Sequence, residues 1–415
     1  MFRAALSGAP ARRFFAAHAQ SCLGTGLAYV ALPLLAYDRF GSAWAIAAVL
    51  LPDLLPAIVF GPVLGALVDR IGWRVCAVIA DVLRCIAFVV VMTADSLPVM
   101  IAGAGLAGLG TALFHPAALA GLPRLMGDGD KKRAAGMGLF GAIDDLGLTA
   151  GPALAAAALA VISPSAMMGL NAVTFAISAC LIATVASRGG IPVPGAAAAR
   201  RSLFADARAG VRELAARPEI RVLLGSSTGI VLCVGITNIG EVILAREVLG
   251  VGGTGLAVMV TAGGLGTVVG SLCARFTTAG AWAWRRAYSL GALCMAVELV
   301  ACGLLHSFWL VVPALALGGF GNGLALVHDR LLLASSTPES LHGRLFALQK
   351  TCTSFAFALS FIASGALIAG AGVETAFLVS GLALALVLTT ALPRLRAAWP
   401  TPPSGRPPAL SDALA

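Results

Sequence analysis

Gly61-Pro62-Val63-Leu64-Gly65-Ala66-Leu67-Val68-Asp69-Arg70-Ile71-Gly72-Trp73-Arg74 joins two long apolar stretches. Either stretch alone says only that the chain meets a membrane. The short charged turn between them, approached through two glycines, says more. Gly61 and Gly65 stand four apart and remove side chains from one helical face, so a neighbouring helix could approach closely. Asp69 falls at the membrane edge, where a carboxylate can face a helix N-terminus or pair with Arg70 or Arg74.

The whole composition agrees. Of 415 residues, 59% are hydrophobic and 11% are charged, whereas a soluble domain carries about 25% charged residues. A mean hydropathy of +0.94 leaves no polar surface for a water-soluble globule. Lipid cannot satisfy backbone N–H and C=O groups, so the spans are helices or a closed barrel. The stretches stay apolar for about 20 residues without alternating, which selects helices. The nine cysteines lie in or at the ends of apolar stretches without a C-x-x-C pair. They read as small packing residues rather than disulfides or metal ligands. The basic segment Met1 to Arg13 reads as a cytoplasmic lead-in, not a cleaved signal peptide.

Apolar windows fall at roughly 15–37, 44–66, 75–94, 97–122, 136–161, 165–187, 222–245, 253–274, 287–305, 307–327, 345–370 and 373–392. These are spans 1 to 12. With a cytoplasmic N-terminus, only Arg39 and Arg246 of the 28 Lys and Arg fall in outward loops, and Arg84 and Lys350 lie inside spans; the other 24 are cytoplasmic. Such asymmetry places both termini inside. It also explains the net charge of +9 without a nucleic-acid partner. The expected organisation is a cytoplasmic N-terminus over 1–14, a six-helix bundle over 15–187, a linker over 188–220, a second bundle over 221–392, and a disordered cytoplasmic tail over 393–415. Within the linker, Leu203, Ala207, Val211 and Leu214 recur at helical spacing among Arg208, Arg212, Glu213 and Arg217, as an amphipathic helix on the inner membrane face would require. The halves echo one another. Gly61-x-x-x-Gly65-x-Leu67-x-x-Arg70 matches Gly266-x-x-x-Gly270-x-Leu272-x-x-Arg275 at an offset of 205 residues, with Ala274 in place of the acid.

The opening stretch resembles the signature loop between spans two and three of the major facilitator superfamily of secondary transporters, departing from it at Trp73, where a basic residue is usual. The resemblance implies an all-α membrane protein of twelve transmembrane helices in two pseudo-symmetric six-helix bundles. It also implies that the loop set Gly61, Gly65, Asp69, Arg70, Gly72 and Arg74 latches the halves in one of two alternating states. In span 5, Gly147-x-x-x-Gly151-Pro152 resembles the motif of drug-antiporter branches, although Gly and Pro also suit a bent packing helix. Val30-Ala-Leu-Pro33-Leu-Leu, Asp81-Val-Leu-Arg84, Phe114-His-Pro116-Ala-Ala and Arg344-Leu-Phe-Ala-Leu look like the twelve-span drug/proton antiporter branch of macrolide, siderophore and multidrug exporters. Members of that branch often carry an acid in span 1, where this chain reads Gly24-Thr25-Gly26.

Ionisable groups inside spans are costly, so each is a functional candidate. Asp81 and Arg84, three apart on one helical face, can neutralise each other as a structural pair. Lys350 can snorkel, meet Asp69 or face a cavity. Asp53, Asp144, Asp145, Glu241 and Glu298 have no obvious local partner. In the superfamily fold, spans 1, 4, 7 and 10 line the cavity while 3, 6, 9 and 12 face lipid. That makes Glu241, with Asn238 one turn before it, the best-placed acid, and makes Glu298 a scaffold residue or one protonated against lipid. Asp144 and Asp145 point about 100° apart, so at most one faces a given cavity fully. His115 is either a proton relay or a hydrogen-bonded packing residue. Five carboxylates against one lysine favour cationic, amphipathic substrates.

No phosphate loop or H-E-x-x-H is present in the sequence, so an enzyme is not expected, nor a cofactor or a metal. The reading is a proton-coupled exporter of small amphipathic molecules in the inner membrane, its partners being a small-molecule substrate, protons and the lipid bilayer. Alternatives are a sugar or metabolite importer, or a non-transporting receptor on the same fold. The sequence carries no signal for oligomeric state.

Overall fold

Lipid leaves helices as the economical way to pair every backbone group, and the chain is helical throughout its described length. The computed structural model describes Leu6 and residues 8–127, 129–159, 161–185, 217–337 and 339–400. The first six spans are Ala9–Phe40, Ala43–Ile71, Trp73–Thr93, Leu97–Met126, Asp130–Leu159 and Pro164–Ala183. Span 7 is Pro218–Val248. Spans 8 to 12 are Gly252–Cys273, Ala281–Leu304, Phe308–Ser335, Glu339–Ala371 and Val373–Ala398. Eleven of these contain a stretch long and apolar enough to cross a bilayer, and Asp130–Leu159, at 30 residues, spans the same length. The amphipathic helix expected within the linker, from Leu203 to Leu214, lies outside the described residues, as does the tail beyond Pro400.

The connections are short and chemically specified. Span 2 turns into span 3 at the single residue Gly72, whose φ of +97° a side chain would strain. Its N–H donates to the Val68 carbonyl at 2.9 Å, and its own carbonyl accepts from the Cys76 N–H at 3.2 Å. One residue therefore ends one helix and begins the next. Ser42 and Ser163 cap spans 2 and 6 by accepting from the backbone N–H groups of Trp44 and Ala166, each at 3.2 Å, satisfying donors that a helix start leaves orphaned.

The chain divides into two compact units, Met1–Pro194 and Gly195–Ala415. In the first, span 1 packs on spans 5 and 6, span 4 on spans 2 and 3, and span 3 on span 6. In the second, span 7 packs on spans 11 and 12, span 10 on spans 8 and 9, and span 9 on span 12. Each neighbour pair in one unit has its counterpart six spans later, as a duplicated bundle requires. Many large side chains face outward, including Leu290, Leu293, Leu382 and Leu386, all more than half exposed. Acyl chains suit such a surface and water does not.

Four expectations are corrected. The first helix begins at Ala9, and buried Phe14 belongs to the bundle rather than to a lead-in. Span 10 continues to Ser335 and span 12 to Ala398, through Pro393. The polar residues there ended the apolar windows but not the helices, because hydropathy measures lipid contact and not backbone pairing. Span 7 is not one regular helix. It runs Pro218–Val234, breaks at Gly235 and Ile236, resumes over Thr237–Ile243 and finishes as a π-turn over Leu244–Val248. Finally, the glycine repeat has two different environments. A Cβ on Gly266 or Gly270 would come within 3.0 Å of the span 10 backbone at Ala316 or Phe320, whereas a Cβ on Gly61 or Gly65 would meet no atom within 4 Å. The close helix approach expected of the first copy is made by the second.

Candidate polar sites within the two bundles

Spans 1 and 5, both odd-numbered, run in the same direction, and their matching faces form a ladder. At one end Phe14 stacks on Phe140, with centroids 6.4 Å apart. One turn on, His18 lies flat on Phe140 at 4.2 Å and an interplanar angle of 3°. At the far end a Cβ on Gly26 or Gly151 would come within 3.0 Å of the opposing glycine, so these two backbones touch. The polar rung sits between. His18 Nε2 lies 3.1 Å from Asp144 Oδ1, and the Cys22 thiol donates to the same oxygen at 3.5 Å. From span 4, His115 Nε2 stands 3.8 Å from Asp144 Oδ2.

The local sequence dictates this assembly. His18 and Cys22 are four apart on span 1, as Phe140 and Asp144 are on span 5, so each pair shares a face. The aromatic residue fixes the imidazole plane, the glycines bring the helices together, and the carboxylate receives the imidazole N–H. His18 is 3% exposed, while the Asp144 and His115 side chains are 33% and 54% exposed. The cluster therefore has a buried wall and an open mouth. Asp144 is turned toward spans 1 and 4; the side chains of Asp145 and Pro152 are outside the described set. Gly147 and Gly151 pack directly on span 1, at Cys22 and Gly26. Gly24 and Gly26 are thus packing positions, against spans 6 and 5, while Thr25 between them is exposed.

Asp81 and Arg84 form a salt bridge within span 3, and Ser178 of span 6 donates to Asp81 Oδ2 at 2.7 Å. The guanidinium is sandwiched between Phe114 and Phe175, 4.3 Å from each ring centroid, a cation–π arrangement that suits a desolvated arginine. Asp81 is fully buried and Arg84 is 6% exposed. The pair lies in the bundle interior.

Asp53 of span 2 is exposed, and its backbone is held where a Cβ on Gly108 would come within 3.0 Å of it. In the signature turn, Asp69 and Arg70 are exposed, Arg74 donates to the Val185 carbonyl at 2.9 Å, and Trp73 is 4% exposed with its ring under Gly121. The departure at Trp73 is a core residue. Arg39 is a cap rather than a loop charge, donating to the carbonyls of Val91, Met92 and Ala94 at 2.6–3.0 Å. Lys350 is exposed.

In the second unit, Glu241 and Asn238 sit in the short helix between the break of span 7 and its π-turn. The Asn238 amide donates to the Gly235 carbonyl at 3.2 Å, and the Thr237 hydroxyl to the Val234 carbonyl at 2.9 Å. Carbonyls freed by the interruption are thereby re-satisfied by local side chains. Glu298 does not face lipid: it is 6% exposed, lies against Gly318 of span 10, and is within electrostatic range of Glu241. Of its two sequence readings, the scaffold residue stands and the acid protonated against lipid does not: span 9 has an inner side as well as an outer one.

Two features were missed. His18 lies inside span 1, and the rule applied to buried acids would have found it had it been extended to histidine. Asp329, 6% exposed and accepting from the Gln349 amide of span 11, lies two residues beyond the span 10 window and so outside the stretch searched for buried acids.

Comparison with known proteins agrees with this architecture. The Major Facilitator Superfamily pattern matches residues 14–297. The multidrug efflux pump Tap of Mycolicibacterium fortuitum is 25% identical over 389 residues, covering 90% of this chain and 93% of that protein. The nucleoside transporter NupG superposes with a TM-score of 0.72 at 13% identity over 94% of this chain and 99% of NupG. An inward-facing bacterial homologue of the human lysosomal transporter Spinster gives 0.70 at 13% identity, covering 94% and 97% of the two chains. At such identities the solved structures speak for fold alone. The duplicated six-span bundle, the signature turn at Gly72 and the match over residues 14–297 together place this chain in the Major Facilitator Superfamily: it is a multi-pass membrane transporter and not an enzyme.

Proposed function

We propose that this chain is a proton-coupled exporter of small amphipathic, cationic compounds across the inner membrane, working by alternating access with both termini cytoplasmic. One observation carries the reading: Asp144 sits at the open mouth of a buried cluster with His18 and His115 on either side. A carboxylate that exchanges between dry and hydrated surroundings gains and loses a proton. Ionised, Asp144 holds the His18 Nε2–H and draws His115. Protonated, it releases both imidazoles, so one proton changes three side chains on three helices.

Glu241 and Glu298 extend the argument to the second unit. Neither makes an ion pair with Lys, Arg or His among the described residues, so a cation or a proton is the natural counter-charge. A carboxylate able to hold a cationic substrate or a proton, but not both, is the minimal device for exchange. The similarity to a protein named a multidrug efflux pump supports efflux, and the sparse polar lining of the spans supports lipophilic cargo.

Accumulation of a fluorescent lipophilic cation in pump-deficient bacteria tests this. Wild-type protein should lower accumulation, and a protonophore should abolish the difference. Asp144→Asn and Glu241→Gln, at matched membrane levels, should each return accumulation toward that of cells lacking the protein. Wild-type protein without effect would remove this substrate class. Efflux that persists with the protonophore would remove proton coupling.

Asp69 belongs to a different step. On the proposed latch role, Asp69→Asn should slow cycling while leaving the amount and thermal midpoint of the folded protein unchanged. Wild-type transport rates in that variant would discard the role.

A further inference from the structure

His18 Nε2, Cys22 Sγ and Asp144 Oδ1 are mutually close: 3.1 Å between nitrogen and oxygen, 3.5 Å between sulfur and oxygen, and 3.7 Å between sulfur and nitrogen. A tetrahedral zinc-class ion bonds nitrogen and oxygen at about 2.0–2.2 Å and thiolate sulfur at about 2.3 Å, which sets donor atoms about 3.3–3.7 Å apart. The three side chains thus already describe one face of a tetrahedron, and opening the His18–Asp144 contact by a few tenths of an ångström completes it. We propose that this cluster is a binding site for a soft divalent transition-metal ion of the zinc class. This goes beyond proton coupling, although protons and metal would compete for the same lone pairs.

Charge supports the assignment. One thiolate and one carboxylate neutralise a divalent cation while imidazole adds none, so the loaded site is neutral, as a buried position in a membrane protein demands. Binding displaces the Cys22 thiol proton and any proton on His18 to solvent; no electrons move. The donor set of imidazole, thiolate and carboxylate suits zinc, cobalt or nickel better than magnesium or calcium, which prefer all-oxygen shells.

Preorganisation supports it too. The His18 ring is clamped on Phe140 and flanked by Phe114, 5.8 Å away. Cys22 is pinned where span 1 meets Gly147. His115 stands beside the second oxygen of Asp144, the place of an outer-shell group that orients a ligating carboxylate. The half-exposed side of Asp144 and His115 provides the way in and leaves the fourth position to water.

Cobalt(II) titration of the purified full-length protein, stripped with chelator, reads occupancy directly and independently of transport, so its failure and that of the efflux reading are distinguishable. The expected result is one equivalent of Co2+ per chain, with intense tetrahedral ligand-field bands and a thiolate-to-cobalt charge-transfer band, both bleached by Zn2+. Cys22→Ser should lose the charge-transfer band, and His18→Gln the stoichiometric binding. His115→Gln should weaken affinity about tenfold with the spectrum retained. Size-exclusion profiles matching wild type certify the variants as folded. No thiolate band in the wild type, or an identical band in Cys22→Ser, would overturn the assignment.

Discussion

Asp81→Ala is expected to destabilise the first bundle by about 3–5 kcal/mol, the cost of leaving a buried charge without its partner. Arg84 is the charge concerned. Its guanidinium is held between Phe114 and Phe175, 6% exposed, with no path for a short turn of side chain to reach water. Removing the carboxylate also strands the hydroxyl of Ser178, which now donates to it. The readout is the thermal midpoint of detergent-purified protein together with its yield in the membrane. The double variant Asp81→Leu/Arg84→Met separates charge from packing. Apolar residues of similar volume often replace a buried ion pair with little loss, so it should recover most of the stability that the single variant loses. A single variant as stable as wild type would mean that Arg84 is hydrated and the pair incidental.

The second large effect concerns glycines that the sequence makes equivalent and the structure does not. Gly270→Ala should cost about 1–3 kcal/mol, the range for forcing volume into a packed interface, because the added Cβ meets the backbone of Phe320 and backbone cannot step aside. Gly270→Val should prevent accumulation of folded protein altogether. Gly65→Ala, at the matching position of the first repeat, meets no atom within 4 Å and should leave the thermal midpoint unchanged or slightly raised, alanine being the better helix former. The same thermal measurement decides both. Equal losses at the two positions would show that the repeat symmetry of the sequence extends to packing after all.

The contrast shows what each level of description can carry. A period of four between small residues states that a helix has a bare stripe; it does not state what lies against the stripe. Gly147 and Gly151 make the same point from the other side. The sequence left them between a directional motif and a bent packing helix, and the bundle answers with Cys22 and Gly26 pressed onto them.

What the sequence determined by itself is the number and type of the elements. Lipid imposes one backbone solution, so apolar length alone fixes the helices, and the family was legible through the resemblance of the stretch from Gly61 to Arg74 to a signature loop. Helix ends were less legible. Spans 10 and 12 continue through Asp329 and Pro393 because hydrogen bonding within a helix does not stop where lipid contact stops. The break in span 7 was illegible because its cause is shared with other helices: Gly235 lies where a Cβ would meet Ser360 of span 11.

Only the tertiary structure decided which ionisable groups meet. His18, His115 and Asp144 are separated by 97 and 29 residues in the chain and become one cluster through the packing of spans 1, 4 and 5. Of the two readings of Glu298, a scaffold residue or an acid protonated against lipid, its burial inside the bundle within range of Glu241 removes the second. A helix periodicity defines faces relative to one another, and it takes the neighbouring helices to say which face is dry. That is why composition gave a helical membrane protein and a motif resemblance its superfamily, while the partners of its buried charges had to be read from the folded bundles.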